Sequence, residues 1–116
     1  MRDHTKLKAF QLADELCIAI NRLTASWPRQ EQFGLTMQIR RASVSASSCI
    51  VEGCARHSEA DYLHFLDIAY GSVCEVGHQL SLGRRLGFTS DEKVCALAAE
   101  TAKVLNGLIR SLRRAR

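Results

Sequence analysis

"QIRRASVSASSCIVEG", Gln38 to Gly53, sets two adjacent arginines ahead of a run dominated by serine and alanine, then closes on an acid beside a glycine. Three readings compete: a segment that reads nucleic acid, a serine active site, or a helix thin enough for a neighbour to come close. The apolar positions decide. Ile39, Ala42, Ala46, Cys49, Ile50 and Gly53 recur mainly at intervals of three and four, the spacing of one helical face. Serine is a mediocre helix former, so its repeated use here points to a need for small side chains. A serine nucleophile needs a positioned base and usually a sharp turn that exposes the hydroxyl. Ser43, Ser45, Ser47 and Ser48 sit inside the helix without a G-x-S-x-G, and nothing ties any of the four histidines to them. The stretch predicts a close-packing helix in a protein that is not an enzyme.

Three more stripes flank it. Leu7, Phe10, Ala13, Cys17, Ile20, Leu23 and Trp27 predict a first helix over about residues 6–27, stopped by Pro28, which disfavours helical geometry in the residue before it. The helix containing the opening stretch covers about 33–54. Tyr62, Phe65, Leu66, Ala69, Val73, Val76, Leu80 and Gly83 mark a third over about 58–86; Val94, Leu97, Thr101, Val104, Leu108 and Leu112 mark a fourth over about 90–114. Ser58 with Asp61 and Thr89 with Glu92 have the form of capping boxes, and Gly53 and Gly87 stand where helix-ending glycines belong. Short joints make consecutive helices antiparallel neighbours. The expected fold is all-α, an up-down-up-down antiparallel four-helix bundle in one domain over residues 1–116. Leu12, Ile18, Leu63, Ile68 and Leu82 fall off the core stripes, and the long third helix implies a rod-like subunit that packs sideways on others.

Composition agrees. Hydrophobic residues make up 47% of the 116, enough for a core, and a net charge of +4 tilts mildly toward an anionic partner. Five cysteines without a CxxC pair, no apolar run of membrane length and no secretory signal predict a reduced, cytoplasmic protein. No glycine-rich phosphate loop or dinucleotide fingerprint is present, so no cofactor is expected. His57, Asp61 and His64, with Cys54 close by, share a spacing that metal sites use. The joint they occupy is polar and exposed, and the expectation is solvent-facing histidines and no metal.

If the second and third helices meet near residue 56, Ala42 lies opposite Gly71 and Gln38 opposite Glu75. That register predicts a polar network of Arg40, Arg41, Glu52, Glu75 and Gln79, with one arginine of the pair on Glu75. Glu52 and Arg56 form an i, i+4 pair.

"FGLTMQIRRASVS", then Glu52-Gly53, Arg56 and Ser58, then "FLDIAYGSVCEVGHQL", resemble the 23S rRNA intervening-sequence protein family. These small bacterial four-helix bundles are similar in turn to the accessory variability proteins of diversity-generating retroelements. The resemblance runs from about Leu7 into the last helix and is specific in the middle two. It departs at Ala46, Ser47 and Ser48, where the family often has proline and asparagine, and at Glu75-Val76-Gly77, where the family's "ELE" loses its second acid. It implies a ring-like homopentamer with no established catalytic activity, in a family suspected of binding nucleic acid.

The strongest functional signal in the residues is a basic pole. In this topology the chain start, the 2–3 joint and the end of the fourth helix share one end. That end gathers Arg2, Lys6, Lys8, Arg56, Arg110, Arg113, Arg114 and Arg116, against Asp3, Glu52, Glu59 and Asp61. Part of the cluster suits the dipole at a helix C-terminus. Lys6, Lys8, Arg56, Arg110, Arg113, Arg114 and Arg116 are the expected contacts to phosphates of structured RNA or DNA, bound in a salt-dependent and largely sequence-blind way. The alternative is a protein-interaction scaffold whose basic end meets an acidic protein partner. Arg84 and Arg85, at the other pole, are expected to be neutralised by Asp91 and Glu92.

Overall fold

Prolines, glycines and capping side chains divide the chain where its periodicity breaks. The structure, a computed structural model, describes residues 2–115. The helices are α1 (Lys8–Thr24), α2 (Leu35–Cys54), α3 (Glu59–Arg85) and α4 (Glu92–Arg114), with single 3-10 turns at His4–Lys6 and Arg29–Glu31. No strand occurs among the described residues. Each helix packs on the next, and α1 closes against α4, giving the up-down-up-down bundle. It measures 45 × 22 × 19 Å. Its long axis follows α3, whose 27 residues span about 40 Å at ~1.5 Å per residue.

The helix ends show what local chemistry decides. α1 stops three residues before the proline limit, because Trp27 N–H donates to Thr24 O (3.1 Å) and the turn carries the indole back into the core. Ser58 caps α3 as expected, accepting from Asp61 N–H at 3.0 Å. Gly87 ends α3 with φ +81°, a conformation that only glycine adopts cheaply. Phe88 N–H reaches Gly83 O (2.8 Å) and Gly87 N–H reaches Arg84 O (3.1 Å), the paired bonds of a Schellman motif. At α4 the expected cap is corrected: Asp91, not Thr89, holds the N-terminus. Its carboxylate accepts from both Lys93 and Val94 N–H (2.9 and 3.2 Å), and Thr89 Oγ1 instead accepts from Asp91 N–H. A carboxylate serves two orphan donors and the helix dipole at once.

The core follows the stripes with a small rotation in α1. Ala9, Ala13, Leu16 and Ile20 face inward, with Phe10, Cys17 and Leu23 on the flank. Leu66, Ala69, Val73, Val76 and Leu80 form the α3 face. Leu63, expected off the core, is buried, whereas Ile18 and Ile68 are exposed.

Gly53 corrects another expectation. It lies inside α2, buried, rather than past its end. A Cβ there would come 2.9 Å from Phe65 Cβ and 3.3 Å from Tyr62 O, so the absence of a side chain lets α2 and α3 touch backbone to backbone. Ser45 and Ser72 then hydrogen-bond across the pair at 3.1 Å. Thin side chains do line this interface. The register, however, differs from the symmetrical one: Ser45 meets Ser72, one helical turn further along α3 than Ile68. The offset is already present at the joint, where Gly53 lies against Tyr62 and Phe65 rather than Ala60. The first turn of α3 is covered by the N-terminal segment, with Arg2 hydrogen-bonding Arg56 O (3.1 Å) and Glu59 (2.7 Å) and lying over the Tyr62 ring.

Candidate functional site

Arg2 on the joint and Arg113 on Asp67 of α3 show that the N-terminal segment, the α2–α3 joint and the end of α4 meet at one end of the bundle. The structure sorts the cations gathered there into two groups. Arg2, Arg56 and Arg113 are paired internally, with Glu59 (2.7 Å), Glu52 (2.7 Å) and Asp67. Arg56 also lies over the Phe65 ring at 4.8 Å. Such part-exposed pairs contribute roughly 0–1 kcal/mol each; their effect here is to tie the joint and fix side-chain positions. Lys6, Lys8, Arg110 and Arg114 are exposed and form no ion pair among the described residues. Arg116 lies outside the described residues.

The α4 surface adds a residue that the sequence reading passed over. Lys103, Gly107, Arg110 and Arg114 recur at four, three and four, all exposed, and nothing lies within 4 Å of a Cβ placed on Gly107. Three cations thus form a stripe with a flat gap between them. The signal was the seven-residue interval between Lys103 and Arg110, which a search confined to chain ends ignores.

The expected polar network does not exist as one unit. Arg40 turns toward α1, its Nε donating to Thr24 Oγ1 (2.7 Å) and its NH2 group to Asn21 O (3.3 Å). Glu75 accepts from Gln79 Nε2 (3.2 Å) and pairs with neither arginine, while Glu52 belongs to Arg56. Two causes combine. Arg40 projects from the side of α2 that carries buried Thr36 and Ser43, and the one-turn shift of α3 moves Glu75 past Arg41 to the level of Ala42. The neutralisation expected at the far pole also fails: Asp91 is the α4 cap, and neither Arg84 nor Arg85 has an ion pair among the described residues. Both ends of the bundle therefore carry cations that are unpaired among the described residues.

His57, Asp61 and His64 are exposed. Among the described residues no group of three His, Cys, Asp or Glu side chains could hold a metal ion. Under Arg2, burial pushes the Tyr62 phenol up to about 12; the adjacent Cys54 adds to this and Arg2 opposes it. Burial likewise raises the Cys54 thiol. In the unfolded chain tyrosine ionises near 10, so between about pH 10 and 12 the folded state holds the extra proton. Stability is full below that window and falls through it, by roughly 2 kcal/mol from this residue. Urea unfolding at about pH 9 and about pH 11.5 checks this: Tyr62→Phe should lose less stability between the two than the native chain does.

No curated protein matches the chain. Four solved chains do. One, a protein of unknown function from the S23 ribosomal protein family of Bacteroides thetaiotaomicron, superposes with a TM-score of 0.78 at 24% identity, over 88% of this chain and 95% of that one. At that identity the likeness shows the four-helix fold alone. The family model described as 23S rRNA-intervening sequence protein matches residues 5–110, nearly the whole bundle from the 3-10 turn to the α4 cation stripe, and the chain belongs to that family.

Proposed function

We propose that this protein is a non-enzymatic homo-oligomer that binds RNA or DNA through phosphate contacts, with Lys6, Lys8, Lys103, Arg110 and Arg114 as the contacting cations. One observation carries the reading. These side chains are exposed and form no ion pair among the described residues, and three of them run as a stripe along one helix. A linear array of exposed cations suits a run of phosphates, whereas a base-reading platform would need exposed aromatic rings. Tyr62 and Trp27 are buried, and Phe65 lies under Arg56; the exposed Phe33, on the α1–α2 connection, stands at the other end of the bundle from Lys6 and Lys8. No helix among the described residues is long and apolar enough to cross a membrane.

Self-association is supported by the outer face of the α2–α3 pair. Val44 and Val51, a seven-residue interval apart on α2, are 49% and 36% exposed, and Ile68 on α3 is 40% exposed. Between them lie Ser45, Ser72 and Gly71, where nothing stands within 4 Å of a Cβ. Such a patch, apolar at its edges and thin in its middle, suits a second helix pair. Light scattering should give a mass several times the 12.9 kDa subunit, and Val44→Glu should lower it toward the monomer.

Titration of mixed-sequence single-stranded RNA and duplex DNA tests the binding. Affinity should fall linearly with salt on logarithmic axes and differ little between unrelated sequences. Failure to bind either polymer at low salt, with retention of an acidic polypeptide such as polyglutamate, would replace this reading by the scaffold one.

A further inference from the structure

The end of the bundle opposite Lys6 and Lys8 holds cations of a different geometry. There the α1–α2 connection and the first turns of α2 surround an open cavity of about 490 Å³. Three arginines, Arg29, Arg40 and Arg41, line it, and among the described residues no acid does. The nearby carboxylate of Glu31 is engaged with Leu35 N–H at 3.2 Å. Arg40 is held in place by Thr24 Oγ1 and Asn21 O. Arg29 and Arg41 are exposed and have no ion pair among the described residues. Apolar surface comes from Trp27, Pro28 and Met37.

A second, independent observation points to a ligand. Trp27 and Thr36, both lining residues, are only 6% and 7% exposed. Yet Trp27 Nε1 and Thr36 Oγ1 have no hydrogen-bond partner among the described residues. A buried polar group left unpaired costs about 1–3 kcal/mol, so native structures rarely leave two such groups on the residues around one cavity without a use.

We propose that this cavity binds a small organic anion. A phosphate or carboxylate group engages Arg29 and Arg41 beside the fixed Arg40, and the apolar body of the ligand rests on Trp27 and Met37. Guanidinium groups match the planar or forked acceptors of such anions with paired, charge-assisted bonds. Concave, partly apolar sites of about 300–1,000 Å³ with a few placed polar groups are the usual form of small-ligand pockets. The proposal is independent of polymer binding at the other end.

Trp27 is the only tryptophan of the chain, so its fluorescence and its single indole N–H resonance both report on this cavity. The full-length protein is titrated with phenyl phosphate, benzoate and inorganic phosphate at constant ionic strength. Phenyl phosphate or benzoate should shift both signals saturably, at least about tenfold more tightly than inorganic phosphate, as burial of a ring against apolar walls predicts. Of the two, the tighter names the anionic group. Arg29→Gln with Arg41→Gln should weaken that binding at least about tenfold, from the loss of charge-assisted hydrogen bonds. Thr36→Val should weaken it less, and Arg84→Gln with Arg85→Gln should leave it unchanged. Circular dichroism verifies that each variant keeps its helices. A shift that never saturates, that is equal for inorganic phosphate, or that survives the loss of both arginines overturns the proposal.

Discussion

Gly53→Val is expected to destabilise the bundle by about 3 kcal/mol, the upper part of the range for forcing atoms into a packed core. Even the first added carbon would stand 2.9 Å from Phe65 Cβ and 3.3 Å from the Tyr62 carbonyl. Neither is the loose end of a flexible side chain, so α2 and α3 must separate. Separation would also stretch the Ser45–Ser72 bond and uncover buried Tyr62 and Leu66. Valine adds a branched Cβ that restricts its own rotamers in a helix. The control is Gly77→Ala on α3, where nothing lies within 4 Å of the new Cβ. There alanine should stabilise by about 0.5–1 kcal/mol, its ordinary advantage over glycine inside a helix. Urea midpoints of the two variants should move in opposite directions.

Neutralising Lys6, Lys8, Arg110 and Arg114 together, each to glutamine, is expected to weaken RNA binding by roughly 10³-fold at about 0.1 M salt. The estimate follows from counterion release, in which each neutralised phosphate contributes a slope of about 0.7–0.9 against log salt. The fold should survive, because all four side chains are exposed and none makes an ion pair among the described residues. Arg56→Gln should have a different profile. Arg56 is already paired with Glu52 and lies over Phe65, so its loss should loosen the α2–α3 joint more than it weakens polymer binding.

Where sequence and structure agree, a local rule was sufficient. Apolar spacing, Pro28, Ser58 and Gly87 each act within a few residues, and they marked the helices to within a few positions. The family was legible for the same reason, since its motifs cluster on α2 and α3. What escaped is set by contacts far apart in sequence. The N-terminal segment folds over the α2–α3 joint through Arg2, and no periodicity in α2 or α3 announces that cover; the register, set by the close approach at Gly53, came out one turn short. The network around Glu75 failed with it. Gly53 looked like a helix end because glycines often are; its burial against Phe65 depends on where α3 comes to lie. Asp91 displaced Thr89 as a cap because a carboxylate reaches two donors. The division of the basic pole into paired and unpaired cations required knowing that Asp67 faces the end of α4. The arginine cavity was not legible either, because it joins Arg29, beyond the end of α1, to residues on the α2 surface.

Because both ends of the bundle carry arginines without an ion pair among the described residues, the most direct measurement is the salt dependence of RNA binding for two double variants side by side. Arg110→Gln with Arg114→Gln removes charge from the α4 stripe; Arg84→Gln with Arg85→Gln removes the same charge from the far end. The account predicts a slope shallower by about 1.4 to 1.8 in the first variant and the native slope in the second. Equal slopes in the two, or a change confined to the second, would contradict it.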